Sequence, residues 1–179
     1  MNLRIIKSKW LNDIDIQSDY CLHGQVELFI NKNKIAIYPQ EITLSSTGLF
    51  LMRIIKENYE VAQKWGNYLF PCCGFTFYKN EETEEVKKNI LVINQGCCNG
   101  TDLFIKHIGS NLLIKYQDNE EIISMEEYKK MVFEFVKTVE EKYKKNKKKN
   151  IKDRYEKEGY EAFWKEWYIW KNDLTIAST

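Results

Sequence analysis

A stripe of large rings in GYEAFWKEWYIWKN limits the folds open to this chain more than any other feature. Tyr160, Phe163, Trp164, Trp167 and Trp170 recur at steps of three and four residues, which places them on one face of an α-helix. Five such rings must be covered, so that helix needs a packing layer of its own. A second helix lies just upstream, in SMEEYKKMVFEFVKTVEEKYKK. There Ser124 and Glu127 match a capping box, and Tyr128, Met131, Val132, Phe135, Val139 and Tyr143 keep helical spacing. The spacing predicts helices over 124–145 and 153–171.

The remaining segments supply strands and one more helix. QVELFINKNKIAIYP alternates apolar and other residues on both sides of positions 31–33, which reads as a β-hairpin. In TLSSTGLFLMRIIKENY the Ser/Thr cluster suits an N-cap, and Gly48, Leu51, Met52, Ile55 and Tyr59 share a helical face. This predicted helix over 43–58 is apolar nearly all round, the pattern of a buried helix. GFTFY and NILVIN read as strands joined by the acidic loop KNEETEEVKK. The apolar run 90–93 suggests a central strand covered on both faces. DLFIKHIGSNLLIKY is a second hairpin, turning at 109–111. The expected architecture is α+β: a mainly antiparallel sheet with a buried helix and two C-terminal helices packed on it. With 179 residues and only Pro39 and Pro71 as prolines, one domain over 1–179 is expected, with a basic helix–helix junction at about 142–157.

The start, MNLRIIKSKW, lacks the apolar core and cleavage site of a signal peptide, and no window reaches the roughly 18 apolar residues of a membrane span. No membrane association is expected. Five cysteines, an odd number, without an export signal point to reduced thiols and a cytoplasmic location.

Four of the five cysteines form two adjacent pairs, Cys72 with Cys73 in PCCGFTF and Cys97 with Cys98 in QGCCNGT. Neighbours on a strand point to opposite faces, so a strand-borne pair offers a metal only one thiolate. Antiparallel pairing of GFTFY with NILVIN brings both pairs near one sheet end, which keeps a zinc or thiol protein built on Cys72, Cys73, Cys97 and Cys98 as an alternative. The favoured reading is small soft residues filling a core end, with no cofactor. His107 alternates with Leu103 and Ile105 as a half-buried strand residue, and His23 beside Cys21 is a poor nucleophile–base match. No phosphate-loop, dinucleotide, metalloprotease or serine-hydrolase motif is present, and EETEE and DNEE read as solvated loop charge. No catalytic residue is nominated.

Charge is unevenly spread. Residues 142–157 carry nine Lys or Arg against two acids, and removing that +7 from the overall +1 leaves −6 elsewhere. The basic stretch between Lys142 and Arg154 defines a second alternative, a nucleic-acid-binding module in which Tyr155 or Tyr160 stacks a base. Lysines at a helix C-terminus also complement the helix dipole, which is the plainer reading.

The two C-terminal helices, together with CCNGTDLFIKHIGSNLLIKY, resemble small cytosolic bacterial immunity proteins of polymorphic-toxin and contact-dependent inhibition systems. The resemblance covers roughly the last third of the chain plus that hairpin. It implies a non-catalytic role: tight binding of one cognate toxin, blocking its active site or substrate groove. It carries over no functional residue. The charge pattern nominates an acidic toxin-facing surface made of Glu81, Glu82, Glu84 and Glu85, with Asp118, Glu120 and Glu121 second. The end of the aromatic stripe, Trp164, Trp167 and Trp170, is the other candidate partner-binding surface.

Overall fold

The structure is a computed structural model that describes residues 1–11, 19–62, 64–72, 76–81, 89–95, 99–145 and 149–175. In chain order its elements are β1 (Asn2–Lys9), β2 (His23–Ile30), β3 (Asn33–Ile35), β4 (Ile42–Thr43), α1 (Leu44–Arg53), β5 (Phe70–Pro71) and β6 (Thr76–Lys79). There follow β7 (Val92–Gln95), β8 (Gly100–Thr101), β9 (Phe104–Ile108), β10 (Asn111–Tyr116), β11 (Asn119–Ser124), α2 (Met125–Lys144) and α3 (Arg154–Thr175). The fold is α+β, as the sequence predicts, with its strands divided among several antiparallel ladders. One joins β1, β2 and β3 with β4 on β2; a second runs β11-β10-β9; β5 pairs with β8 and β6 with β7.

Both expected hairpins form. Asn31 and Lys32 turn β2 into β3 with φ of 48° and 67°, the left-handed pair of a type I′ turn. Gly109, at φ 58°, turns β9 into β10. A third strand, β11, is a correction: Glu120 and Glu121 of DNEE belong to it, and the loop shrinks to Gln117 and Asp118. NEEIIS lacks apolar/polar alternation because β11 is an edge strand with little to bury.

Every residue of α1 is buried, which fits its apolar circumference. Its first turn is closed by the Leu22 carbonyl, 2.8 Å from Leu44 N, and not by a hydroxyl of the Ser/Thr cluster. The helix stops at Arg53, short of the expected 58. His107 Nε2 donates to the Ile54 carbonyl at 2.7 Å, and the Asn58 side chain accepts from His107 N at 2.8 Å. Tyr59 then pairs by backbone with Ile105. The sheet therefore takes the last turn away from the helix, a tertiary override of local propensity.

In α2 the predicted capping box is present: Ser124 Oγ accepts from Glu127 N at 3.1 Å and Glu127 returns to Ser124 N at 3.0 Å. Its buried face carries Tyr128, Val132, Phe135, Val136 and Val139, and Tyr128 donates to the Leu51 carbonyl of α1 at 2.9 Å. α3 lies against β6 at very short range. A Cβ on Gly159 would sit 1.9 Å from the Phe77 carbonyl oxygen, so only glycine permits this approach. Phe163 stacks on Phe77 with centroids 4.3 Å apart.

The strand at 90–93 also departs from expectation. Among the described residues β7 pairs with β6 alone. Its other edge is closed by side chains: Glu166 of α3 accepts from Leu91 N (2.7 Å) and Val92 N (2.9 Å), and Arg53 Nη2 donates to the Val92 carbonyl (2.7 Å). A charged pair thus stands where a neighbouring strand was anticipated.

Candidate functional site

The helical pair α2/α3 builds a concavity. Rings at 160, 164 and 168 form an i, i+4 row on α3, and Tyr143 near the end of α2 meets them. Tyr143 and Trp164 are edge to face, with centroids 4.8 Å apart at 85°, and Tyr168 lies 5.8 Å beyond Trp164. With Lys144, Lys149, Lys157 and Tyr160 they wall a cleft of about 620 Å³. The aromatic stripe and the basic segment, separate features in the sequence, thus meet in one place.

Each wall group has a defined state. Tyr143 spends its hydroxyl on the backbone of the β1–β2 connection, donating to the Tyr20 carbonyl at 2.8 Å and accepting from Leu22 N at 3.2 Å. Burial raises its phenol well above the ordinary value, and burial pushes Tyr160 up to about 12. Both are therefore neutral walls. Lys149 is half-buried over the Trp10 ring, 3.3 Å from its centroid, and bonds the Asp19 carbonyl. Burial lowers its pKa to about 8, against opposing pulls from Asp19 and Cys21. Glu140, also lining the cleft, is committed to Trp167 Nε1 at 2.8 Å and Lys171 Nζ at 2.6 Å. The cleft offers flat apolar faces beside the ammonium groups of Lys144, Lys149 and Lys157, with the exposed Glu161 carboxylate also in its lining. It suits a guest that presents a ring or aliphatic group beside negative charge.

The other nominated residues are dispersed. Trp167 and Trp170 are covered, their indole N–H groups donating to Glu140 and Glu166, so of the three nominated tryptophans half-buried Trp164 alone borders the cleft, beside Tyr160 of the same stripe. Tyr168, 52% exposed, is a wall residue the sequence reading missed, although the 160/164/168 spacing marks it. Glu81 is exposed, and Glu82, Glu84 and Glu85 lie outside the described residues. Asp118 is exposed at the β10–β11 turn. Glu120 and Glu121 sit on a strand instead of a loop and already have partners. Lys115 Nζ reaches Glu120 at 2.6 Å, and Glu121 holds the Met1 amino group at 2.5 Å and Asn31 N at 2.8 Å.

Cys72 N bonds the Asn99 carbonyl at 3.1 Å, and β6 pairs antiparallel with β7, as the shared-end reading anticipates. Cys72 is disulfide-bonded, which corrects the expectation of a reduced thiol there; Cys73, Cys97 and Cys98 lie outside the described residues. Cys21 is buried and its thiol is raised by burial, which disfavours the thiolate a nucleophile needs. His23 is buried with Nδ1 unpartnered, and burial lowers its pKa. Among the described residues no cluster of three His, Cys, Asp or Glu side chains could hold a metal ion, and no helix is long and apolar enough to cross a membrane. Comparisons with known protein families, characterised proteins and solved structures find no match to this chain.

Proposed function

We propose that this protein is a binding protein of the immunity kind, which neutralises a cognate bacterial toxin by seating an acidic segment of it in the α2–α3 cleft. One observation carries the reading: Trp164, Tyr160 and Tyr168 line a cleft rimmed by Lys144, Lys149 and Lys157. Tryptophan and tyrosine dominate interface hot spots because they bury large area at low entropic cost. The lysines add complementarity for carboxylates on the partner, which raises association rate and selectivity. The resemblance of the two helices and the β9–β10 hairpin to immunity proteins supports the same role. The test is co-expression with each candidate toxin found among the genes neighbouring this one, comparing wild type with the variant Tyr168→Ala/Lys157→Glu. Both side chains are exposed, so the fold is retained. Loss of growth protection and faster dissociation are expected; unchanged protection would rule the cleft out as the contact surface.

The same lysines and rings favour a second reading, single-stranded nucleic acid with bases on Tyr160 and Trp164. It requires oligonucleotide binding that weakens steeply with salt and is lost in the same variant.

A further inference from the structure

We propose that the outer face of the β1–β2–β3 ladder binds single-stranded nucleic acid, with phosphates on Arg4, Lys7, Lys32 and Lys34 and a base on Phe29. This face is remote from the α2–α3 cleft, whose lining includes no residue of these strands. Along β2 the inward positions Val26, Leu28 and Ile30 join the core, so Gln25, Glu27 and Phe29 face away from it.

Ladder partners share a face, and the register therefore places the charges. Asn2, Phe29 and Lys34 stand in one row across the three strands, Arg4 is opposite Glu27, and Lys7 is opposite Gln25. Lys32, in the β2–β3 turn, lines a hollow of about 430 Å³ together with Asn2, Arg4 and Phe29. The carboxylate in that lining, Glu121, is held by the Met1 amino group.

The face has more positive charge than it uses. Glu27 takes Arg4 Nε at 2.8 Å and Lys34 Nζ at 2.7 Å, so two cations share one carboxylate. The Arg4 and Lys34 side chains remain 65% and 62% exposed, and Lys7 and Lys32 are exposed as well. Glu41, by contrast, is matched by Lys9 at 2.8 Å. Four cations against Glu27 give the face +3, and removing that from the overall +1 leaves −2 elsewhere. A polyanion complements such a surface.

The ring selects among polyanions. Phe29 is half-buried and lies outside the hydrophobic core, with cations on both flanking strands. Stacking a base on a strand-borne ring while lysines track the phosphates is the general mode of single-strand recognition. An acidic peptide has no need of the ring, and an anionic bilayer has no base to stack on it.

The experiment measures anisotropy of labelled oligouridylate and oligothymidylate across about 50–200 mM salt. With three net charges at about 0.7 each, log K should fall against log salt with a slope of about −2. Lys32→Gln/Lys34→Gln should flatten that slope by about 1.4, and Phe29→Leu should weaken binding about tenfold with the slope unchanged. The cleft variant Tyr168→Ala/Lys157→Glu should bind as wild type does, which separates this face from both readings of the cleft. Absence of binding at low salt overturns the proposal, as does equal binding of polyglutamate or of phosphatidylserine vesicles. So does a Phe29→Leu variant, shown folded by its melt, that binds like wild type, or loss of binding in the cleft variant alone.

Discussion

Arg53 and Glu166 meet in a side-chain ion pair from which solvent is fully excluded, at 2.7 Å between Nε and Oε1. The pair also closes the free edge of β7, since Glu166 accepts two backbone N–H groups and Arg53 donates to one carbonyl. This dual duty decides what mutation does. Arg53→Met strands a buried carboxylate and should cost about 3–5 kcal/mol. Replacing a buried pair by apolar residues is often harmless, but Arg53→Met/Glu166→Leu leaves Leu91 N, Val92 N and Trp170 Nε1 without acceptors. At about 1–3 kcal/mol for each unmet group, the double variant should stay at least about 3 kcal/mol below wild type in urea unfolding.

Gly159 lies inside α3, where alanine is ordinarily better by about 1 kcal/mol. Here a Cβ would stand 1.9 Å from the backbone oxygen of Phe77, which the β6–β7 ladder helps hold in place. The clash should win, and Gly159→Ala should be destabilised by about 1–3 kcal/mol in a thermal or urea melt. A stabilised variant would show that α3 does not pack this closely on β6.

Ser124→Ala removes the N-cap hydroxyl of α2 and should cost about 1 kcal/mol at neutral pH. Hydrogen bonds from Ser124 N and then its hydroxyl hold the Glu127 carboxyl below its ordinary value of 4.5. A depressed carboxyl contributes stability above the unfolded pKa and loses it as pH falls through the folded one. The gap between wild type and variant should therefore narrow below pH 4.5, read from melts across an acid series.

Lys149 gives a dependence of the same sign, at alkaline instead of acid pH. Its pKa falls from 10.5 to about 8, so between those values the unfolded chain holds more proton than the folded one. Stability from this group is therefore lowest below about pH 8 and recovers as pH rises toward 10.5. Lys149→Met should remove that upward slope from the difference in melting temperature. Above pH 8 the cleft also loses one positive charge, so affinity for an acidic partner should fall.

Local signals were legible where local physics decides. Ser124 and Glu127 announced α2 because a capping box is complete within four residues. The turns at Asn31 and Gly109 were legible for the same reason. The early end of α1 was not, because His107 and Ile105, about fifty residues on, remove its last turn. The role of β7 was misread because its missing neighbour is a pair of side chains. The cleft was half legible: its lysines and rings were both noted, but only the α2/α3 hairpin brings Tyr143 against Trp164. Arg53 was invisible as a buried group, since an isolated arginine in an apolar helix gives no hint of a counter-ion 113 residues away.

That separation has a consequence for synthesis. At about 5–20 residues per second, Arg53 emerges roughly 6–23 s before Glu166 exists to receive it. Throughout that interval α1 cannot settle into a dry interior without carrying an uncompensated charge, and the edge of β7 has no lid. Early closure around α1 is thus opposed by the arginine's own charge, and α3 brings the carboxylate that lifts this opposition.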